Sequence, residues 1–168
     1  EDKVCNQGLW SVSVGDNPSF ETPDGGRELL VFADDPNAYL ITRNRWKLDC
    51  IVNGSQQDIV VTSPSGTRYF ANHRIFGAYY VNKIVDVRGN TLDLAYATNP
   101  NGIPYLQQID ASDGRRVVFE YTDASNDQIL LDKIRFDGKI WDYNYQDVAN
   151  VAGGDEYLVE VILPTDTR

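Results

Sequence analysis

The sequence is poor in the residue types on which most catalytic and metal sites depend. It contains no methionine, a single histidine, His73, and two cysteines, Cys5 and Cys50. One histidine excludes metal sites built from several imidazoles and severely restricts nucleophile–base pairs. The cysteines lack the CxxC or Cys/His spacing of metal and redox sites, and no GxSxG motif is present. We therefore predict a non-enzymatic chain without a cofactor or metal site, in which His73 is structural or lies on the surface.

Basic residues and long apolar runs are also scarce. The 15 Lys and Arg residues stand against 25 Asp and Glu residues, for a net charge of −10, which repels phosphate backbones, so we expect no nucleic-acid partner. No stretch approaches the ~20 apolar residues of a membrane helix, so we expect no membrane insertion of this segment. The chain opens with EDKVCNQG, without Met or a signal-peptide pattern. We expect it to be a piece of a longer chain, so the missing signal says nothing about export.

The two cysteines leave two alternatives open. An even count in a chain rich in Tyr and Asn favours a disulfide between Cys5 and Cys50, formed in an oxidising compartment. The other alternative is a pair of unpaired, buried thiols.

Alternation of apolar and polar residues dominates the rest of the sequence. Apolar residues alternate in five runs, at Trp10–Val14, Trp46–Val52, Leu92–Tyr96, Val117–Tyr121 and Trp141–Tyr145. A period of two is typical of strands with one buried face. Clusters of Gly, Asp, Asn and Pro separate the runs, and no window has a helical apolar stripe. We predict an all-β fold with almost no helix.

A repeat is superimposed on this alternation. An apolar pair three residues apart recurs at intervals of 25, 25 and 27 residues, as Val81/Ile84, Leu106/Ile109, Leu131/Ile134 and Leu158/Val161. A turn glycine follows the first three pairs, at Gly89, Gly114 and Gly138. Apolar residues then occupy the third, fifth and seventh positions, beginning with Trp141 in the third copy and closing on Tyr96, Tyr121 and Tyr145. Each unit is predicted to be a short strand, a tight turn and a longer strand that ends in tyrosine.

The repeat divides the chain into two predicted parts. Residues 1–75 form an irregular, β-rich N-terminal part, and residues 76–168 form antiparallel β-hairpin repeats with a period of about 25 residues. We expect the hairpins to form a twisted, partly open sheet or a section of a β-shell, covered by the N-terminal strands. Edges of this sheet would remain open to further repeats.

The repeat units resemble those of the YD-repeat or Rhs (rearrangement hotspot) family. The resemblance rests on VNKIVDVRGNTLDLAY, LQQIDASDGRRVVFEY and LDKIRFDGKIWDYNY, and on the preceding SPSGTRYF. It covers residues 61–168 well and 1–60 weakly. One departure is that no unit keeps the aspartate of the family's closing Tyr-Asp, since Ala97, Thr122 and Gln146 follow the tyrosines.

This resemblance implies a non-catalytic structural module of a large secreted or cell-surface protein. Members of the family wind their strands into a hollow shell that can enclose a toxic C-terminal domain. The expected partners are the remainder of a longer repeat chain and such an enclosed domain. A few repeats could supply only part of a shell wall.

The acidic residues near the turns raise two chemical alternatives. Glycoside hydrolysis needs two carboxyl groups ~5 to 9.5 Å apart, one with a raised pKa, and the candidates are Asp110, Asp113, Glu120 and Asp142. Calcium could be held by Asp110, Asp113 and Asp137, although these loops lack the donor spacing of an EF-hand. We expect these residues to be solvated or to form turns.

Carbohydrate binding is the alternative function. Aromatic rings can stack on the apolar face of a sugar while Asp, Asn and Gln bind its hydroxyl groups. The tyrosines proposed for glycan contact are Tyr79, Tyr80, Tyr105 and Tyr143, together with Tyr145. The competing interpretation is structural, because closing tyrosines can stack on the equivalent position of the next hairpin.

Overall fold

The computed structural model describes residues 19–32, 40–53, 56–75, 78–123, 129–147 and 156–164. Every regular element in these residues is a β-strand, and the strands pair as antiparallel hairpins, so the predicted all-β hairpin fold is confirmed. None of the described residues belongs to a helix that could cross a membrane. The fold divides into two compact units, Glu1–Thr91 and Leu92–Arg168. This division does not test the predicted onset of regular repeats near residue 75.

The first unit holds eight strands in the described residues. They are β1 Ser19–Glu21, β2 Arg27–Leu29, β3 Val31–Phe32, β4 Leu40–Ile41, β5 Lys47–Asn53, β6 Gln56–Thr62, β7 Arg68–Ile75 and β8 Ala78–Val85. Strands β3 to β8 pair antiparallel in chain order, and β1 and β2 form a separate two-stranded sheet. The N-terminal hairpin packs on the larger sheet, since Phe20 of β1 contacts its apolar cluster.

The second unit continues the hairpin pattern. Its strands are β9 Thr91–Thr98, which begins at the last residue of the first unit, β10 Pro104–Ala111, β11 Arg116–Asp123, β12 Ile129–Phe136, β13 Lys139–Asp147 and β14 Glu156–Ile162. Each pairs antiparallel with its neighbours in chain order, and β9 does not pair with β14, so the sheet of this unit is open. The predicted short first strand is wrong, because β10 and β11 each have eight residues.

The two units differ sharply in burial. A cluster of five buried side chains lies in the first unit, formed by Leu30, Leu40, Leu48, Ile59 and Ala71. In the second unit, Asn99 is the only described residue that is buried. The described apolar side chains of the second unit are half-buried or exposed.

Six hairpin turns share one geometry. In each five-residue turn, the backbone N–H of the first residue donates a hydrogen bond to the carbonyl of the fifth, and the N–H of the fourth residue donates to the carbonyl of the first. The turns are Thr22–Gly26, Thr42–Trp46, Ser63–Thr67, Asp86–Asn90, Asn99–Ile103 and Ala111–Arg115. The fourth residue always has a positive φ, which explains Gly89 and Gly114. Arg45 occupies that position with φ 65°. The turn at Asp137-Gly138 is tighter, with positive φ at both residues, which is the type I′ pattern.

Candidate functional site

The apolar pairs that define the repeat coincide with β-bulges. A period-two strand would place residues three apart on opposite faces, yet Leu106 lies opposite Tyr96 and Ile109 lies opposite Leu94 on the neighbouring strand. Gln107 is the extra residue that restores the common face. Asn82, Asp132 and Val159 are the extra residues of equivalent bulges in the corresponding strands. The repeat signature is thus a bulge placed once in the first strand of each hairpin.

These bulges align every closing tyrosine with the first member of the next pair. Tyr96 lies opposite Leu106, and the two later tyrosines take equivalent places, Tyr121 opposite Leu131 and Tyr145 opposite Leu158. Ile109 and Ile134 lie opposite the third-position residues Val117 and Trp141 within their own hairpins. One face of the second unit is therefore a continuous apolar and aromatic surface, which we call the tyrosine face. Ile84 takes the corresponding place in the first unit, opposite Tyr69.

The centre of the tyrosine face is held by Tyr121. Its ring meets Tyr105 edge to face, with ring centroids 4.9 Å apart. Its hydroxyl donates a hydrogen bond to the carbonyl of Leu106 at 2.6 Å. Burial, and to a lesser extent the neighbouring Tyr105, raises the pKa of Tyr121. Tyr121 therefore has the structural role that the repeat pattern favours, and Tyr105 packs on it.

The opposite face of the second unit carries complementary charges. Asp110 pairs with Arg116, Glu120 with Arg135, and Lys133 with Asp142 at 3.3 Å; Asn144 bonds Glu160 directly across the last two strands. The hydrogen bond from Arg116 to Asp110 and that from Arg135 to Glu120 lower the pKa of each carboxyl group. Asp113 has a lowered pKa for the same reason, a hydrogen bond from Arg115. The ion pairs that join neighbouring strands stabilise the observed register, because a shift of one residue would separate the charged partners.

Strand β14 is the open end of this array. Tyr157, Leu158, Val159, Val161 and Ile162 are 39 to 48% exposed, and they lie on both faces of the strand. Among the described residues β14 pairs only with β13, so its outer edge is unpaired. Exposed apolar edge strands of this kind are templates for pairing with another strand.

The remaining predicted site residues are spread over the fold. Tyr79 packs against the apolar cluster of the first unit, Tyr80 is half-buried opposite His73 of β7, and Tyr143 is half-buried opposite Val161. Tyr79 and Tyr80 thus lie in the first unit, and Tyr105 and Tyr143 lie in the second. Whether any of them contacts a glycan stays a prediction.

The structure describes one of the two cysteines. Cys50 lies in β5, packs against the apolar cluster, and is disulfide-bonded. Cys5 lies outside the described residues, so the pairing of Cys5 with Cys50 stays a prediction.

A cleft in the first unit was missed by sequence reasoning. Turns Thr22–Gly26, Thr42–Trp46 and Ser63–Thr67 surround a space of about 580 Å³, and the rings of Trp46 and Tyr69 line it. The available signal was the Thr, Ser, Asp or Asn residue that begins five of the six five-residue turns, the exception being the turn that begins at Ala111. It predicts the Thr42–Trp46 turn even though Arg45 stands where glycine is usual.

Comparison with known proteins identifies no relative. No family model, no curated protein and no solved structure matches the chain. The resemblance to YD-repeat and Rhs proteins therefore stays a prediction, and what is established is an all-β chain of antiparallel hairpins with a regularly bulged repeat.

Proposed function

We propose that this chain is a non-catalytic structural repeat module of a larger secreted or cell-surface protein of the YD-repeat kind. Its role is to add hairpins to an extended sheet, such as the wall of a β-shell. The observation that carries this proposal is the open edge of β14, which ends an array whose register repeats from one hairpin to the next.

The repeat predicts which kind of strand would pair with the open edge of β14. The pair Leu158/Val161 and the bulge at Val159 make β14 the first strand of a hairpin, equivalent to β10 and β12. Strands β10 and β12 are each paired on both sides, by a strand that closes the previous unit and by the second strand of their own hairpin. β14 has the first of these neighbours and lacks the second among the described residues. The repeat therefore predicts that a strand like β11 would pair with this edge.

The electrostatics of the sheet favour a structural role. A general acid at neutral pH needs a carboxyl group with a raised pKa, usually in an apolar pocket. Asp110, Asp113 and Glu120 have lowered pKa values because they accept hydrogen bonds from arginines. Asp110 and Glu120 form ion pairs across neighbouring strands, which favour the observed register, and Asp113 forms an ion pair within its turn.

Export is supported by the disulfide at Cys50. Disulfides form and persist in oxidising compartments and are rare in the cytosol.

The proposal is tested by adding the missing strand. Residues 164–168 are replaced by a copy of residues 112–123, which follow Ala111 in the array as this segment would follow Leu163. We expect the copied strand to pair with β14 as β11 pairs with β10, where three residue pairs are in register. At roughly 0.2–1 kcal/mol per cross-strand pair, the free energy of unfolding in urea should rise by about 1–2 kcal/mol.

A matched control carries the same added segment with its copies of Val117, Phe119 and Tyr121 changed to Ser. This control should be no more stable than the parent, because it offers no apolar face. Equal stability of the extended chain, the control and the parent would contradict a module that is built to be extended at β14.

A further inference from the structure

The cleft between the first three described turns of the first unit combines flat aromatic surface with polar groups. Trp46 stands between Phe20 and Tyr69, with ring centroids 5.2 Å and 5.9 Å away. Trp46 and Tyr69 line the cleft and remain partly exposed. The three rings come from β1, from the residue before β5, and from β7, so the folded sheet holds them in place. Because these rings are already ordered, less conformational entropy is lost when a ligand binds.

Hydrogen-bonding groups surround these rings. The Asn44 amide donates a hydrogen bond to one carboxylate oxygen of Glu28, which fixes both side chains at the rim. Asp24 accepts hydrogen bonds from the Thr22 hydroxyl and the Gly26 backbone, which hold its carboxylate in position on the other side. Both carboxylates are acceptors, while the amide can donate and accept.

Ser63 and Ser65 complete the polar lining. Their hydroxyls lie 2.8 Å apart, and the Ser63 hydroxyl also accepts a hydrogen bond from the backbone N–H of Thr67 at 3.0 Å. The cleft therefore offers acceptors and donors on several sides of an aromatic platform. Its volume of about 580 Å³ is within the usual range of small-ligand sites.

We propose that this cleft binds a neutral saccharide, with one pyranose ring stacked on Trp46, Tyr69 flanking it at an angle of 43° to the indole, and its hydroxyls bound by Asp24, Glu28 and Asn44. A sugar ring has an apolar C–H face and a rim of hydroxyls that donate and accept, which matches an aromatic floor with carboxylate and amide walls. Asp24 and Glu28 outnumber Arg27, the one cationic residue of the cleft lining, so the lining carries a net negative charge that disfavours anionic ligands, including sialylated or sulfated glycans. This site is separate from the tyrosines of the repeat and from the β14 edge.

The test is a printed array of neutral and acidic glycans, followed by fluorescence titration with the neutral glycan that binds best. The chain has three tryptophans, and a variant with Trp10→Phe and Trp141→Phe leaves Trp46 as the only indole. We expect that glycan to change the emission of Trp46. Glu28→Gln and Asn44→Ala should each weaken binding by about ten-fold, the effect of losing one hydrogen bond to a charged or amide partner.

Asp113→Asn is the matched control, since Asp113 is an exposed turn carboxylate in the other unit. It should bind like the parent, and circular dichroism should show the same β-sheet signal for all variants. The proposal is overturned if the folded parent chain binds no neutral glycan, if binding leaves Trp46 emission unchanged, or if Glu28→Gln and Asn44→Ala bind as tightly as Asp113→Asn.

Discussion

Deletion of single residues tests whether the repeated apolar pairs depend on bulges. Gln107 is the extra residue of its bulge, is exposed, and separates Leu106 from Ile109. Without it the two apolar residues would be two apart in a regular strand, and both would still face the same side. We therefore expect the deletion of Gln107 to cost less than about 1 kcal/mol, which is within the usual range for exposed positions.

Asn144 provides the matched comparison. It is also an exposed amide, but it lies between Tyr143 and Tyr145 in a strand without an extra residue. Deleting it makes the two tyrosines adjacent, so one of them must move to the charged face. A tyrosine that loses roughly 100 Å² of apolar contact, about half of its surface, costs about 2–3 kcal/mol at 25 cal/mol per Å².

Urea unfolding followed by circular dichroism measures both effects on the same scale. The predicted order is parent, then the Gln107 deletion slightly below it, then the Asn144 deletion well below both. If deleting Gln107 destabilises the protein as much as deleting Asn144, the bulge is not what reconciles the three-residue spacing with a common face.

Three further outcomes follow from individual contacts. Asn82 occupies a bulge with a buried Oδ1 atom that has no hydrogen-bond partner, so Asn82→Val, which copies Val159 of the last bulge, should raise the free energy of unfolding by about 1 kcal/mol in urea. The pKa of Tyr121 is raised in the fold, so the Tyr121 hydroxyl contributes fully to the free energy of unfolding below its ordinary pKa of about 10, and this contribution is lost as the pH rises through the raised value. Tyr121→Phe should therefore lower the free energy of unfolding at pH 8 by about 1 kcal/mol and make its decline at alkaline pH less steep. An unchanged alkaline slope would contradict this assignment. Gly114 has φ 89° with open space around it, so Gly114→Ala should lower the thermal midpoint through a cost of about 1 kcal/mol, whereas Arg45→Gly at the equivalent turn position should raise it.

Much of the fold was predictable because its signals are local. Period-two alternation located the main strands, and Gly89, Gly114 and Gly138 located turns that need positive φ. The spacing of Leu106 and Ile109 also contained the bulge, since two apolar residues three apart contradict a regular strand. The repeat interval alone, in contrast, indicates a repeated unit and says nothing about a bulge.

The Trp46–Tyr69 cleft could not be predicted in the same way. It depends on β7 lying one strand away from β5 in the sheet, with β6 between them, and on the contact of Phe20 from β1 with Trp46, which are tertiary facts. The Thr42–Trp46 turn was also hard to predict, because Arg45 has a positive φ at a position where glycine is usual. The proposed glycan tyrosines, in contrast, were chosen by composition, and packing distributes Tyr79 and Tyr105 to separate apolar contacts.

The most direct measurement of the central claim is amide hydrogen exchange along β14, compared between the parent chain and the chain extended by the copy of residues 112–123. Amides of β14 that do not bond to β13 should exchange quickly in the parent, while β12, which is paired on both sides, is protected. In the extended chain these β14 amides should slow toward the rates of β12. Protection of β14 already present in the parent, or fast exchange that persists after the extension, would show that this edge is not the place where the array continues.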